Sequence, residues 1–183
     1  MEMTVELRGS VARPGKYELE EGILFRELLK ERAGGVAGGA GLKALLPDGP
    51  LSPALDAAEA LSVRLDSKSI SALGSSFGSG ELIVVGDKDS IVDVLLATLD
   101  GFASGCCRRR ATCREAAAWM RSIVRRIAGG AGRAGDDNLL LDVALSMERC
   151  AGCDEARLLA RAVTCTVTKF GAEVRGRIEG RTP

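Results

Sequence analysis

The chain has 183 residues, 46% of them hydrophobic, with 25 basic and 25 acidic side chains and no histidine. That length suits one ordinary domain or two small ones, while balanced charge and six aromatic residues argue against a general nucleic-acid binder. Without histidine, imidazole-based catalytic triads and mixed Cys/His zinc sites are excluded.

Residues 3–7 alternate as a strand, Arg8 to Gly15 supplies the Gly and Pro of a turn, and Lys16 to Leu19 returns as the second arm of a hairpin. Ile23 to Arg32 places Leu24, Leu28 and Leu29 on one face of a short helix that Gly34-Gly35 stops. Leu42 to Leu46 and Leu61 to Leu65 read as short strands, and Leu82 to Val85 is a further apolar run behind a glycine-rich turn. Two strands, a helix and more strands is the order of a β-grasp. The glycine-rich stretches 34–41 and 74–80 lack the lysine of a phosphate loop and the spacing of a dinucleotide loop, so both read as turns.

Beyond Asp87 the apolar period lengthens from two to about 3.6 residues. Helices are expected at Ser90–Ala103, Cys113–Ala128, Asp136–Cys150 and from Glu155 to about Arg175, with Asp136 or Asp137 as an N-cap and glycines at 129, 130 and 132 between them. In the second helix Trp119, Ile123 and Ile127 recur every four residues and read as core packing. Val163 and Cys165 read as core as well. The fold class expected is α+β: an N-terminal ubiquitin-like β-grasp over residues 1–88, a C-terminal four-helix bundle over 89–175, and a tail over 176–183. No apolar run is long enough for a membrane span and no signal-peptide pattern opens the chain, so a soluble protein, or one peripheral to a membrane complex, in the cytoplasm or an organelle matrix is expected.

All six cysteines lie in the C-terminal half, at 106, 107, 113, 150, 153 and 165, which suits free thiols in a reducing compartment better than a disulfide scaffold. Cys106, Cys107, Cys113, Cys150 and Cys153 fall in or beside glycine- or arginine-rich segments at the edges of helices, where two cysteine groups can converge. A local group of thiolates plus one remote cysteine is a usual way to hold a four-iron cluster, and helix N-terminal amides suit its sulfurs. Three thiolates can also hold three irons, with Cys106 or Cys153 as a fourth ligand. A four-thiolate zinc site and idle thiols remain open on the same residues. The run Arg108-Arg109-Arg110 reads first as a solvated face.

The segments Gly9-Ser10-Val11-Ala12-Arg13-Pro14-Gly15, Gly74 to Val85, and Cys113-Arg114-Glu115 with Trp119 resemble, in this order, the C-terminal half of the NADH-binding flavoprotein subunit of respiratory complex I and its counterparts in NAD-linked hydrogenases and formate dehydrogenases. The resemblance runs from about Val5 to Lys169. It implies a soluble-ligand-binding β-grasp followed by a helical bundle holding a four-iron cluster. The family pattern Glu-Ser-Cys-Gly-x-Cys-x-Pro-Cys-Arg-Glu-Gly corresponds without a gap to Gly105 through Ala116, so Cys107, Cys113 and the remote Cys150 fall on three ligand positions and Arg110 on the fourth. Gly105, Cys106, Arg108, Thr112 and Ala116 replace the family glutamate, serine, first glycine, proline and last glycine.

The family's flavin- and NADH-binding domain has no counterpart here, so the resemblance implies neither FMN nor NAD on this chain alone and no catalysis by it in isolation. It implies an electron-transfer or accessory subunit of an oxidoreductase complex, with a 4Fe-4S or 3Fe-4S cluster and other redox subunits as partners. The alternative is a cluster-less structural or assembly module of such a complex. A free-standing ligand-binding module is a third class, though nothing in residues 1–86 singles out a ligand.

Overall fold

A computed structural model describes residues 2–105 and 111–181. The chain divides into two compact units, Met1–Asp89 and Ser90–Pro183. The described residues form a mixed α/β structure with one five-stranded sheet and eight α-helical segments.

The first unit is built on β1 (Glu2–Gly9), β2 (Gly15–Glu20), β3 (Leu42–Leu46), β4 (Leu55–Asp56) and β5 (Glu81–Gly86), in the spatial order β2-β1-β5-β3-β4. β1 runs antiparallel to β2, with Val5 opposite Tyr17, and parallel to β5, with Leu7 opposite Leu82. β3 is antiparallel to both β5 and β4. Strand alternation turns Val5 and Leu7 to one face, where they join Leu19, Phe25, Leu28, Leu45, Leu55, Leu65, Ile70, Leu82 and Val84 in a single core.

The helix expected from Ile23 begins at Phe25 as α1 (Phe25–Glu27) and widens into a π-helical turn over Leu28–Arg32. The Ala33 N–H reaches back five residues to the Leu28 carbonyl at 2.9 Å, and Leu28 and Leu29 are both buried. The strand expected at Leu61–Leu65 is instead the end of α2 (Ala57–Ser62) and the bend after it. Asp56 and Glu59 form a reciprocal capping box, at 2.9 and 3.0 Å, that starts a helix where alternation alone suggests a strand. α3 (Ser67–Ala72) is capped by Asp66, whose carboxylate accepts from the Ser69 N–H at 2.7 Å.

The glycine-rich stretch before β5 is a turn held by Asp48. Its Oδ1 accepts the backbone N–H groups of Gly78 and Ser79 at 3.0 and 2.6 Å, so amides that a phosphate loop would present outward are taken by a carboxylate of the same unit. Desolvation works against that charge, but the bonds from Ser79 and Gly78 outweigh it and hold the Asp48 carboxyl below its ordinary range.

The second unit comprises α4 (Ile91–Gly105), α5 (Ala111–Ala128), α6 (Asp136–Cys150), α7 (Asp154–Lys169) and α8 (Gly171–Ile178). The single long helix expected from Glu155 is two, α7 and α8, separated at Phe170. Leu99, Met120, Ile123, Leu140, Ala144, Leu159, Val163 and Val174 fill the space between the helices. Ile123 and Ile127 are buried as their period predicts, but Trp119 is not: it is 55% exposed. Ala117, Met120, Val124 and Ile127 take the inner stripe of α5 and leave Trp119 about a quarter-turn outside it. Cys165 is only half-buried. No described helix is long and apolar enough to cross a membrane.

Candidate metal centre

α5 and α6 are joined by the glycine-rich link 129–135 and pack against each other. Their register is set at the link. Asp136 opens α6 and is almost wholly buried, and its carboxylate accepts Arg126 Nε at 2.8 Å, a second guanidinium N–H from Arg126, and the Arg133 backbone N–H at 2.9 Å. The sequence suggests an acidic N-cap here; the cap position is instead Gly135, in the left-handed region at φ 87°, and Asp136 enters the first turn. The Arg126 guanidinium holds the Asp136 carboxyl below the usual carboxylate range.

From this pair thirteen residues of α5 lead back to Cys113 and fourteen residues of α6 lead forward to Cys150. At 1.5 Å per helical residue both spans are roughly 20 Å, so the two sulfur-bearing residues arrive level with each other at the opposite end of the hairpin. There they line one cavity of about 160 Å³, together with Thr112, Ala116, Ser146 and Met147. Cys113 is 6% exposed and Cys150 is exposed. Ala116 and Met147 each lie three residues from a cysteine on the same helix, a relation the 3.6 period contains but cysteine spacing alone does not suggest.

The cavity lies between the first described turn of α5 and the C-terminal turn of α6. Soft thiols and a mostly apolar wall suit an iron-sulfur centre in chemical kind. Cys113 and Cys150 thus fit as two donors. Cys106, Cys107 and Arg110 lie outside the described residues. Cys153 is the N-cap residue of α7, half-exposed, and is not part of the cavity lining. Among the described residues no group of three Cys, His, Asp or Glu side chains is placed to hold a metal ion.

Charged side chains pair neighbouring helices along the unit. Arg161 Nε on α7 donates to Glu148 on α6 at 2.7 Å. Arg157 donates to the Ala151 carbonyl at 3.3 Å and to Asp154 at 3.1 Å, clamping the connection from α6 to α7. On the other side of α5, Asp100 of α4 is paired with both Arg121 and Arg125. These exposed pairs orient helices and contribute little each to stability.

Comparison with known proteins shows what the chain is similar to. Residues 93–177 match the family described as the NADH-ubiquinone oxidoreductase-F iron-sulfur binding region. The F 2 subunit of the NADH-quinone oxidoreductase of Rhizobium meliloti is 38% identical over 130 residues, covering 71% of this chain and 31% of that relative. The corresponding F subunit of Mycobacterium bovis is 33% identical over 174 residues, covering 95% of this chain and 39% of the relative. That of Rickettsia bellii is 30% identical over 175 residues, covering 94% of this chain and 42% of the relative. The chain therefore spans less than half the length of these relatives. An NAD+-reducing NiFe hydrogenase in its H2-reduced state shares the fold, with a TM-score of 0.81 and 19% identity over 97% of this chain and 29% of the hydrogenase chain.

Proposed function

The chain is a homologue of part of the NADH-quinone oxidoreductase F subunit, carrying its iron-sulfur binding region, and from that premise we propose that it is an electron-transfer component of a multi-subunit redox complex. The observation that carries this reading is the cavity on which Cys113 and Cys150 meet, inside the matched region. In it, Cys107, Cys113 and Cys150 are the cluster ligands, and Cys106 or Cys153 is the fourth. The finer fold in this reading is a β-grasp followed by a four-helix bundle.

An iron-sulfur cluster bound here supplies one-electron transfer. The chain's own residues provide the rest: Cys113 and Cys150 furnish thiolates from neighbouring helices, and Met147 and Ala116 supply apolar lining beside them. Partners are other subunits of a redox complex, in the cytoplasm or an organelle matrix.

One observation favours a second reading. Arg110 stands where the family pattern has a ligating cysteine, which suits a cluster-less module retained for docking within such a complex. Iron and sulfide determination on anaerobically reconstituted protein decides between them. Brown protein with iron and acid-labile sulfide supports the first, and colourless, iron-free protein overturns it.

A further inference from the structure

Cys150 and Cys153 are three residues apart, with Ala151 and Gly152 between them. Cys150 is the last residue of α6 and Cys153 the residue immediately before α7, so the whole connection between two packed helices is these few positions. The Glu148–Arg161 pair ties the last turn of α6 to the second turn of α7, which requires the chain to reverse direction between the two cysteines. Arg157 holds the Ala151 carbonyl and Ala151 is buried, so the reversal is fixed on its inner side. Cys150 is exposed and Cys153 half-exposed, whereas Cys113 is buried. Cys150 and Cys153 are free thiols.

A pair of accessible thiols at C-x-x-C spacing in a clamped reversal is the arrangement in which one cysteine resolves a mixed disulfide formed on the other. We propose that Cys150 and Cys153 are a reversible oxidation site that closes to an intramolecular disulfide on exposure to a small-molecule disulfide such as oxidised glutathione. The Cys150 thiolate attacks the reagent, forming a mixed disulfide and releasing one glutathione thiol. The Cys153 sulfur then attacks the Cys150 sulfur, the protein disulfide forms, and the second glutathione thiol leaves. The pair gives up two electrons, and its two protons leave on the two glutathione molecules. Since Cys150 also lines the cavity, closure withdraws that thiolate from any metal bound there; this consequence rests on the iron-sulfur reading, while the bond itself does not.

Trypsin isolates the site, because Arg149 and Arg157 bound a peptide, residues 150–157, that contains these two cysteines and no others. Iron-free, reduced, full-length protein is treated with excess oxidised glutathione, alkylated with iodoacetamide and digested. The expected product is the 150–157 peptide without alkylation and lighter by two hydrogen atoms, returning to the doubly alkylated form after dithiothreitol. In C153S a stable glutathione adduct on Cys150 is expected. Wild-type peptide alkylated at both positions, a persistent glutathione adduct on it, or Cys150 linked to a different peptide each overturns the proposal. Because iron is absent throughout, these results are independent of whether a cluster is ever bound.

Discussion

Asp136 receives a two-pronged guanidinium from Arg126 ten residues earlier, across the turn that joins α5 to α6, and the acid is 3% exposed. A carboxylate so buried tolerates its charge only with that partner in place. Replacing Arg126 with Leu leaves the charge uncompensated and is expected to lower unfolding free energy by about 3 kcal/mol, read as a drop in urea midpoint. A midpoint within experimental error of wild type would show that the pair does not hold the hairpin.

The same pair sets a pH dependence. Arg126 depresses the Asp136 carboxyl in the folded state, so the unfolded chain binds its proton more readily. The stabilisation is fully present above the unfolded carboxylate value of about 4 and is lost as pH falls through the lower folded value. Asp48 and Asp66 are shifted in the same direction and add to this trend. Urea titrations between neutrality and acid pH should show wild type losing stability below about pH 4. The stability gap to D136N should narrow over the same range.

For the proposed centre, Cys113→Ser and Cys150→Ser should each abolish or strongly reduce iron retained after anaerobic reconstitution, with far-ultraviolet dichroism unchanged. Arg110→Cys restores a thiol at the family's fourth position and should raise iron retained per chain and its persistence in air. Reconstituted R110C indistinguishable from wild type would show that position 110 does not face the centre.

Trp119 is the sole tryptophan and is more than half exposed. Its fluorescence should be red-shifted and readily quenched by iodide in the native state, and Trp119→Ala should change stability by less than about 0.5 kcal/mol. A blue, quencher-resistant emission would instead bury it, as its four-residue repeat with Ile123 and Ile127 suggests.

In the sheet, Gly9 adopts φ 84° and a Cβ there would stand 2.2 Å from the Val84 carbonyl oxygen. That oxygen accepts the Ser10 N–H at 2.8 Å, so the backbones of β1 and β5 meet without room for a side chain. Gly9→Ala should destabilise the first unit by about 2 kcal/mol or more, measured by thermal unfolding.

Much of the architecture was legible because apolar period is a direct imprint of burial. The strands at Met3–Leu7, Leu42–Leu46 and Leu82–Val85 and the helix from Asp136 to Cys150 follow from that imprint. Short segments were less legible, since alternation in Leu61 to Leu65 is too brief to outweigh the capping box formed by Asp56 and Glu59. The stripe on α5 misleads at Trp119 because a four-residue repeat drifts around a helix of 3.6 residues per turn, and Met120 fills the inward position beside it. At the candidate site, cysteine spacing singled out Cys113 and Cys150, which line one cavity, while the lining residues Thr112, Ser146 and Met147 emerge from the pairing of α5 with α6. Which helices pair is a tertiary fact that local spacing does not carry.

The meeting of Cys113 with Cys150 has a thermodynamic corollary. An inorganic bridge between them would close a ring of thirty-eight residues in the denatured chain, a restriction that chain-entropy arguments value at about 4 kcal/mol. Loading the centre would then act as a staple on the helical unit, so that melting temperature, as well as colour, would report occupancy.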